Sequence, residues 1–83
     1  MKTLQELGYA VMLQRKMLHY RQAIVAKQAG ISAESLSRFE RGRSAEFGSR
    51  KLLALLAVLG MEIQFVEQGQ STTLDELRKE RGG

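Results

Sequence analysis

Apolar residues recur at helical spacing through the first part of the chain. Leu4, Leu7, Val11 and Leu18 fall on one face of a helix from about Thr3 to Leu18. Thr3 can cap its start, and Glu6 three residues on completes a capping box. Gln22 to Ala29 reads as a short second helix, closed by Gly30, the residue that takes a left-handed conformation without strain. Ser32 caps a third helix running to about Arg41, and Gly42 ends it. Ser49 begins a fourth, Arg50 to Leu59, stopped by Gly60. From Met61 to Val66 the period changes to two, with Met61, Ile63 and Phe65 on one side, which predicts a strand. Gly69 to Thr72 is linker-like, and Thr73 to Arg81 carries the pattern of a last short helix, with Thr73 and Glu76 as a second capping box. The pattern predicts an all-α fold of four to five helices: four over residues 1–60, then a short C-terminal strand over 61–66, and a tail over 67–83 that carries the fifth where it forms.

The middle of this pattern has the constraints of a rigid reading head. Two short helices joined by a tight turn must cross closely, which needs a small residue at the crossing and one tolerant of positive φ in the turn. Ala26 and Gly30 stand there. Val25, Ala29, Ile31, Leu36 and Phe39 supply apolar anchors toward the body. The rest of the third helix, Ala33, Glu34, Ser35, Ser37, Arg38 and Arg41, is small, polar or basic and suits a groove better than a core. A generic helical hairpin is the plain alternative, but it does not require all of these constraints together within twenty residues.

Charge agrees with this centre. The 83 residues carry a net charge of +4, a modest value for the whole chain. From Arg15 to Lys51, however, nine basic residues meet only three acidic ones, and the stretch carries +6. A basic centre on a small domain is what phosphate binding requires, though charge alone fits a solvated positive face equally well. The chain has no cysteine, which excludes disulfides and thiolate chemistry and fits a reducing compartment. It also lacks proline, which favours uninterrupted helices. The longest apolar run, Leu52 to Leu59, falls short of the ~20 residues that cross a bilayer. No signal-peptide pattern opens the chain, so a cytoplasmic location is expected.

Other chemistries find little support. No nucleophile–base pair, metal cluster or phosphate loop is present, so the chain does not read as an enzyme and no cofactor is expected. The lone His19 has no second ligand for a metal and reads as a surface or hinge residue. Tyr9 and Tyr20 are too few for a platform that stacks single strands, and Met12 and Met17 read as packing. Leu52, Leu53, Leu55, Leu56 and Leu59 wrap most of their helix. Either that helix is deeply buried, or its extra face meets a second copy.

Several of these positions resemble a known family. Leu7–Gly8, Val11, Arg15–Lys16, Gln22, Val25–Ala26, Ala29–Gly30–Ile31–Ser32, Leu36 through Arg43, and Lys51–Leu52–Leu53 through Leu59–Gly60 look like the Cro/repressor-like (XRE) helix-turn-helix family over about residues 4–60. The strand directly after the last helix is most similar to HipB-type antitoxin repressors. The resemblance implies a repressor-like domain that binds double-stranded DNA. It places Ala33, Glu34, Ser37 and Arg38 at base edges, and Arg21, Gln22, Ser32, Ser35, Arg41 and Arg43 at phosphates. It also makes Arg15 and Glu40 a structural pair joining the first and third helices. Arg38 suits a guanine, and Ala33 offers only apolar contact, as to a thymine methyl. Glu34 either accepts from a cytosine amine or complements the helix dipole. Where relatives carry Gly-Leu-Thr before the Gln, this chain has His19, Tyr20 and Arg21.

The expected strand has a consequence for assembly. A single strand in a helical monomer has no ladder partner, so the simplest partner is the same strand of a second chain, with Met61, Ile63 and Phe65 at the interface. Such a homodimer would set two recognition helices about 34 Å apart, or a multiple of this, on palindromic DNA. The HipB-type resemblance implies a further partner, a HipA-like kinase as toxin. The alternative function is a protein-interaction module on a helix-turn-helix scaffold that no longer binds DNA.

Overall fold

In a computed structural model that describes residues 3–67, the chain starts as its capping residues predict. Thr3 is extended, and its Oγ1 accepts the N–H of Glu6 at 3.1 Å, which opens α1 (Leu4–Met17). α2 (Gln22–Ala29) and α3 (Ala33–Glu40) follow, then α4 (Ser49–Val58). Ser32 opens α3 in the same manner, its Oγ accepting the N–H of Ser35 at 3.0 Å.

α2 closes in a Schellman turn. Gly30, at φ 75°, donates its N–H to Lys27 at 3.2 Å, and Ile31 donates to Ala26 at 2.9 Å. α1 closes by the same two bonds, from His19 to Lys16 at 3.0 Å and from Tyr20 to Arg15 at 3.1 Å. There the left-handed residue is His19, at φ 61°, the one non-glycine residue at positive φ among the described residues. His19 therefore sits where the family pattern has Gly.

The core gathers side chains from every helix. Val11 of α1, Val25, Ala26 and Ala29 of α2, Leu36 and Phe39 of α3, and Leu55, Leu56 and Leu59 at α4 are buried. Burying each of the larger ones stabilises by roughly 1.5–3 kcal/mol before entropy is counted. α1 packs on α3, while α2 bridges α3 and α4. The α1–α3 approach is close because position 8 has no side chain: a Cβ on Gly8 would overlap the Phe39 carbonyl.

The structure departs from the sequence reading in three places and decides a fourth point. The strand expected over Met61–Val66 does not form in the single chain: among the described residues there is no run of strand, and only Val66 joins an isolated bridge. A ladder needs a partner for its N–H and C=O groups, and the neighbouring helices have already committed theirs internally. Met61 packs against the core, whereas Ile63 and Phe65 are 45% and 68% exposed. Ser49 is the first residue of α4 rather than its cap; Gly48 stands at the cap and makes no side-chain bond. Met17 is exposed rather than packed, because the inward side of α1 is filled by Gly8, Val11 and Arg15. Of the two alternatives for α4, deep burial does not hold: Leu55, Leu56 and Leu59 are inside and Leu53 is exposed. The short helix read at Thr73–Arg81 lies outside the described residues.

Candidate nucleic-acid interface

α3 divides sharply into two faces. Leu36, Phe39 and Glu40 are buried, and at ~100° per residue the opposite side carries Glu34, Arg38 and Arg41, all exposed. Ala33 and Ser32 are exposed at the N-terminal end, and Ser35 and Ser37 lie half-buried on the flanks. Ser32 spends its acceptor on the cap. The Arg41 Nε folds back on the helix and donates to the Ser37 carbonyl at 3.3 Å. Arg43 is exposed just beyond, in the segment that leads to α4.

That segment is tied down by a contact that sequence reasoning missed. The ring of Phe47 stacks on Phe39, centroids 4.1 Å apart and planes 8° from parallel. The available signal was one large apolar residue in an otherwise polar loop. The stack holds the chain after Arg43 against the underside of α3, so the loop and the recognition helix are parts of one body.

Beneath the exposed face lies a buried polar network. Glu40 is 4% exposed and receives three donors: Arg15 Nε at 2.7 Å, Arg15 Nη2 at 2.9 Å and Gln22 Nε2 at 2.9 Å. Arg15 Nη1 continues to the Tyr20 carbonyl at 2.9 Å. The expected Arg15–Glu40 pair is thus present in two-pronged form, joining α1 to α3. The hydrogen bond from Glu40 raises the Arg15 pKa further above its already high value, against the lowering effect of burial, and the guanidinium stays charged. Among the described residues no buried side-chain polar atom lacks a partner.

The network changes what Gln22 can do. The sequence reading places it at a phosphate; in the free chain one N–H of its amide donates to Glu40 and braces the first turn of α2 to the end of α3, which leaves the second N–H of that group for another acceptor. Arg21, which precedes it, is exposed and provides no side-chain cap for α2. The departure from the family's Thr therefore leaves that helix start without its usual acceptor, and a guanidinium stands there instead.

Two short helices locked by a left-handed turn, with the second exposing a polar and basic face, define a helix-turn-helix reading head. The match to known families agrees. Residues 11–66 fit the model of the helix-turn-helix family, XRE type, and the chain belongs to that family of DNA-binding regulators. No curated protein matches the chain at a significant level. No described helix is long and apolar enough to cross a membrane. Among the described residues no group of His, Cys, Asp and Glu is placed to hold a metal ion.

Proposed function

We propose that this protein is a sequence-specific, double-stranded-DNA-binding transcriptional repressor. The observation that carries the reading is the two-faced α3. Its inner side is locked by Leu36, Phe39 and the Glu40 network, and its outer side is left to Glu34, Arg38 and Arg41. A helix held this firmly loses little freedom on entering the major groove. In this reading Ala33, Glu34, Ser37 and Arg38 meet base edges. Arg21, Ser32, Ser35, Arg41 and Arg43 meet phosphates, and Gln22 acts mainly by holding α2 against α3.

The repressor acts as a homodimer on a palindromic operator, with the segment after α4 meeting its copy across the twofold axis through Ile63 and Phe65, while Met61 stays on its own core. The exposure of Ile63 and Phe65 in the single chain supports this. A second chain would also supply the ladder partner that the first lacks. An antitoxin role, with a HipA-like kinase bound as toxin, follows from the family resemblance alone; a kinase that co-purifies with the tagged protein from its native host is the result expected, and its absence removes the role.

Selection of duplexes from a random pool, followed by mobility shifts at several salt concentrations, tests the main reading. The expected result is an enriched palindrome whose affinity falls steeply with salt. A module that keeps only the scaffold would enrich no sequence, and that outcome rules the repressor out.

A further inference from the structure

The outer side of α1 carries an apolar stripe that DNA recognition does not use. Tyr9, Leu13 and Met17 follow one another at four-residue steps and are 57%, 46% and 70% exposed. The stripe lies on the side of α1 away from Gly8, Val11 and Arg15, which face α3 and the core. It is also continuous with the exposed C-terminal segment. A hollow of about 490 Å³ runs along Tyr9 and Leu13 to Ala10, with Gln5 and Glu6 on its polar rim. A second hollow, about 400 Å³, starts at Ala10 and reaches Ile63 and Phe65. Ala10 lines both hollows, so the two adjoin on one side of the domain, with Gln5, Glu6, Glu62 and Gln64 set among their apolar walls.

We propose that a second copy of this chain covers this whole surface, making the Tyr9–Leu13–Met17 stripe part of the dimer interface. The inference rests on the homodimer proposed above and extends it to a face that reading leaves bare. Area is the first argument. A stable interface buries roughly 800 Å² on each partner. A fully buried aromatic supplies only ~150–250 Å², so Ile63, Phe65 and Val66, each partly covered already, fall well short. Tyr9, Leu13 and Met17, exposed to a similar degree, roughly double the large apolar surface on offer. Bare contiguous apolar patches above a few hundred Å² are also rare on monomers. Geometry is the second argument. The stripe faces away from α3, so two chains joined there keep both recognition helices free for DNA.

Sedimentation equilibrium of the full chain tests this with two variants. Wild type is expected to be dimeric at tens of micromolar. Leu13→Glu should be monomeric there, with an unchanged helical spectrum, because the side chain is already at the surface. A Leu13→Glu protein that sediments as wild type overturns the α1 interface. Ile63→Pro separates the two ideas: a dimer lost with Ile63→Pro but kept with Leu13→Glu leaves strand pairing standing and removes the stripe. The opposite pattern removes strand pairing and keeps the stripe. The absence of cysteine allows a second measurement. The thiol of Leu13→Cys should react with a maleimide roughly tenfold more slowly above the dimer transition than far below it, while that of Arg38→Cys should not change. Equal rates for Leu13→Cys at both concentrations, or a wild type monomeric throughout, overturn the proposal.

Discussion

Gly8 of α1 passes directly against the carbonyl of Phe39 on α3, so closely that any side chain at position 8 would collide with backbone. Helix propensity alone says the reverse of what this contact requires, since Gly→Ala in a helix ordinarily gains about 1 kcal/mol. The obstacle is a backbone oxygen that cannot swing aside, and overpacking costs ~1–3 kcal/mol or more. Gly8→Ala is therefore expected to lower the melting temperature despite better propensity. A melt at or above wild type would show that α1 can lift off α3 at no cost.

Glu40 is the hinge of the polar network, with Arg15 and Gln22 both donating to it. Removing one partner of a buried pair costs about 3–5 kcal/mol, because the remaining charge is stranded. Arg15 keeps some access to solvent, with 12% of its side chain exposed. Glu40→Ala should therefore fall toward the lower part of that range. The double variant Arg15→Ala/Glu40→Ala should lose clearly less than the sum of the two single losses. Denaturant melts of all four proteins give the coupling, and strict additivity would contradict the two-pronged geometry.

Much of this body was legible in the sequence because local chemistry sets it. Thr3 and Ser32 cap where a hydroxyl precedes an apolar period, and Gly30 turns where only a left-handed residue fits. The anchors Val25, Leu36 and Phe39 follow the 3.6-residue repeat into the core. What was not legible depends on partners distant in the chain. Nothing local tells that Phe47 will find Phe39, or that Gly8 must be bare because a carbonyl from α3 arrives there. Nothing local tells either that the Gln22 amide also donates to Glu40, eighteen residues on. The period-two run at Met61–Val66 predicts a strand, yet strand formation depends on a neighbour that the pattern cannot supply.

His19 holds a left-handed conformation, φ 61°, at the end of α1 where its N–H and that of Tyr20 close the helix. For a residue with a Cβ this conformation costs about 1–2 kcal/mol. Glycine removes that strain but adds roughly 0.4–1 kcal/mol of unfolded-state freedom. His19→Gly is thus expected to stabilise by a few tenths to about 1 kcal/mol, read from denaturant midpoints. His19→Val should destabilise, since a branched Cβ tolerates this region worst. If both variants melt like wild type, the turn carries no strain.

Arg21 stands at the start of α2 without a side-chain cap, in the place where a hydroxyl would serve one. Arg21→Thr should stabilise the free protein by about 1 kcal/mol, the usual worth of such a cap. If Arg21 meets a phosphate, the same change should weaken operator binding and reduce its salt dependence by about one ion. Stability and affinity would then move in opposite directions, a result that better folding alone cannot produce. Affinity rising with stability would instead place Arg21 away from the DNA.

Arg38 and Arg43 carry the same charge but occupy different positions, and this separates reading from holding. Arg38 projects from the outer face of α3, opposite Leu36, with nothing in the described structure engaging its guanidinium. Its planar fork matches the two acceptors on the major-groove edge of guanine. Arg43 follows Gly42 in the loop pinned by Phe47, beyond the end of the recognition helix. In the proposed complex that position meets the backbone rather than the bases. Arg38→Ala should cost about 1–3 kcal/mol on the selected operator and relax preference at a single base position. Arg38→Lys keeps the charge but loses the fork, so it should keep the salt slope while still relaxing that position. Arg43→Ala should weaken every duplex alike and flatten the slope by about one unit. Mobility shifts of these three variants on the operator and on its single-base mutants decide the matter. If Arg38→Lys retains full discrimination, or Arg43→Ala alters preference at one base, the two roles have been assigned to the wrong residues.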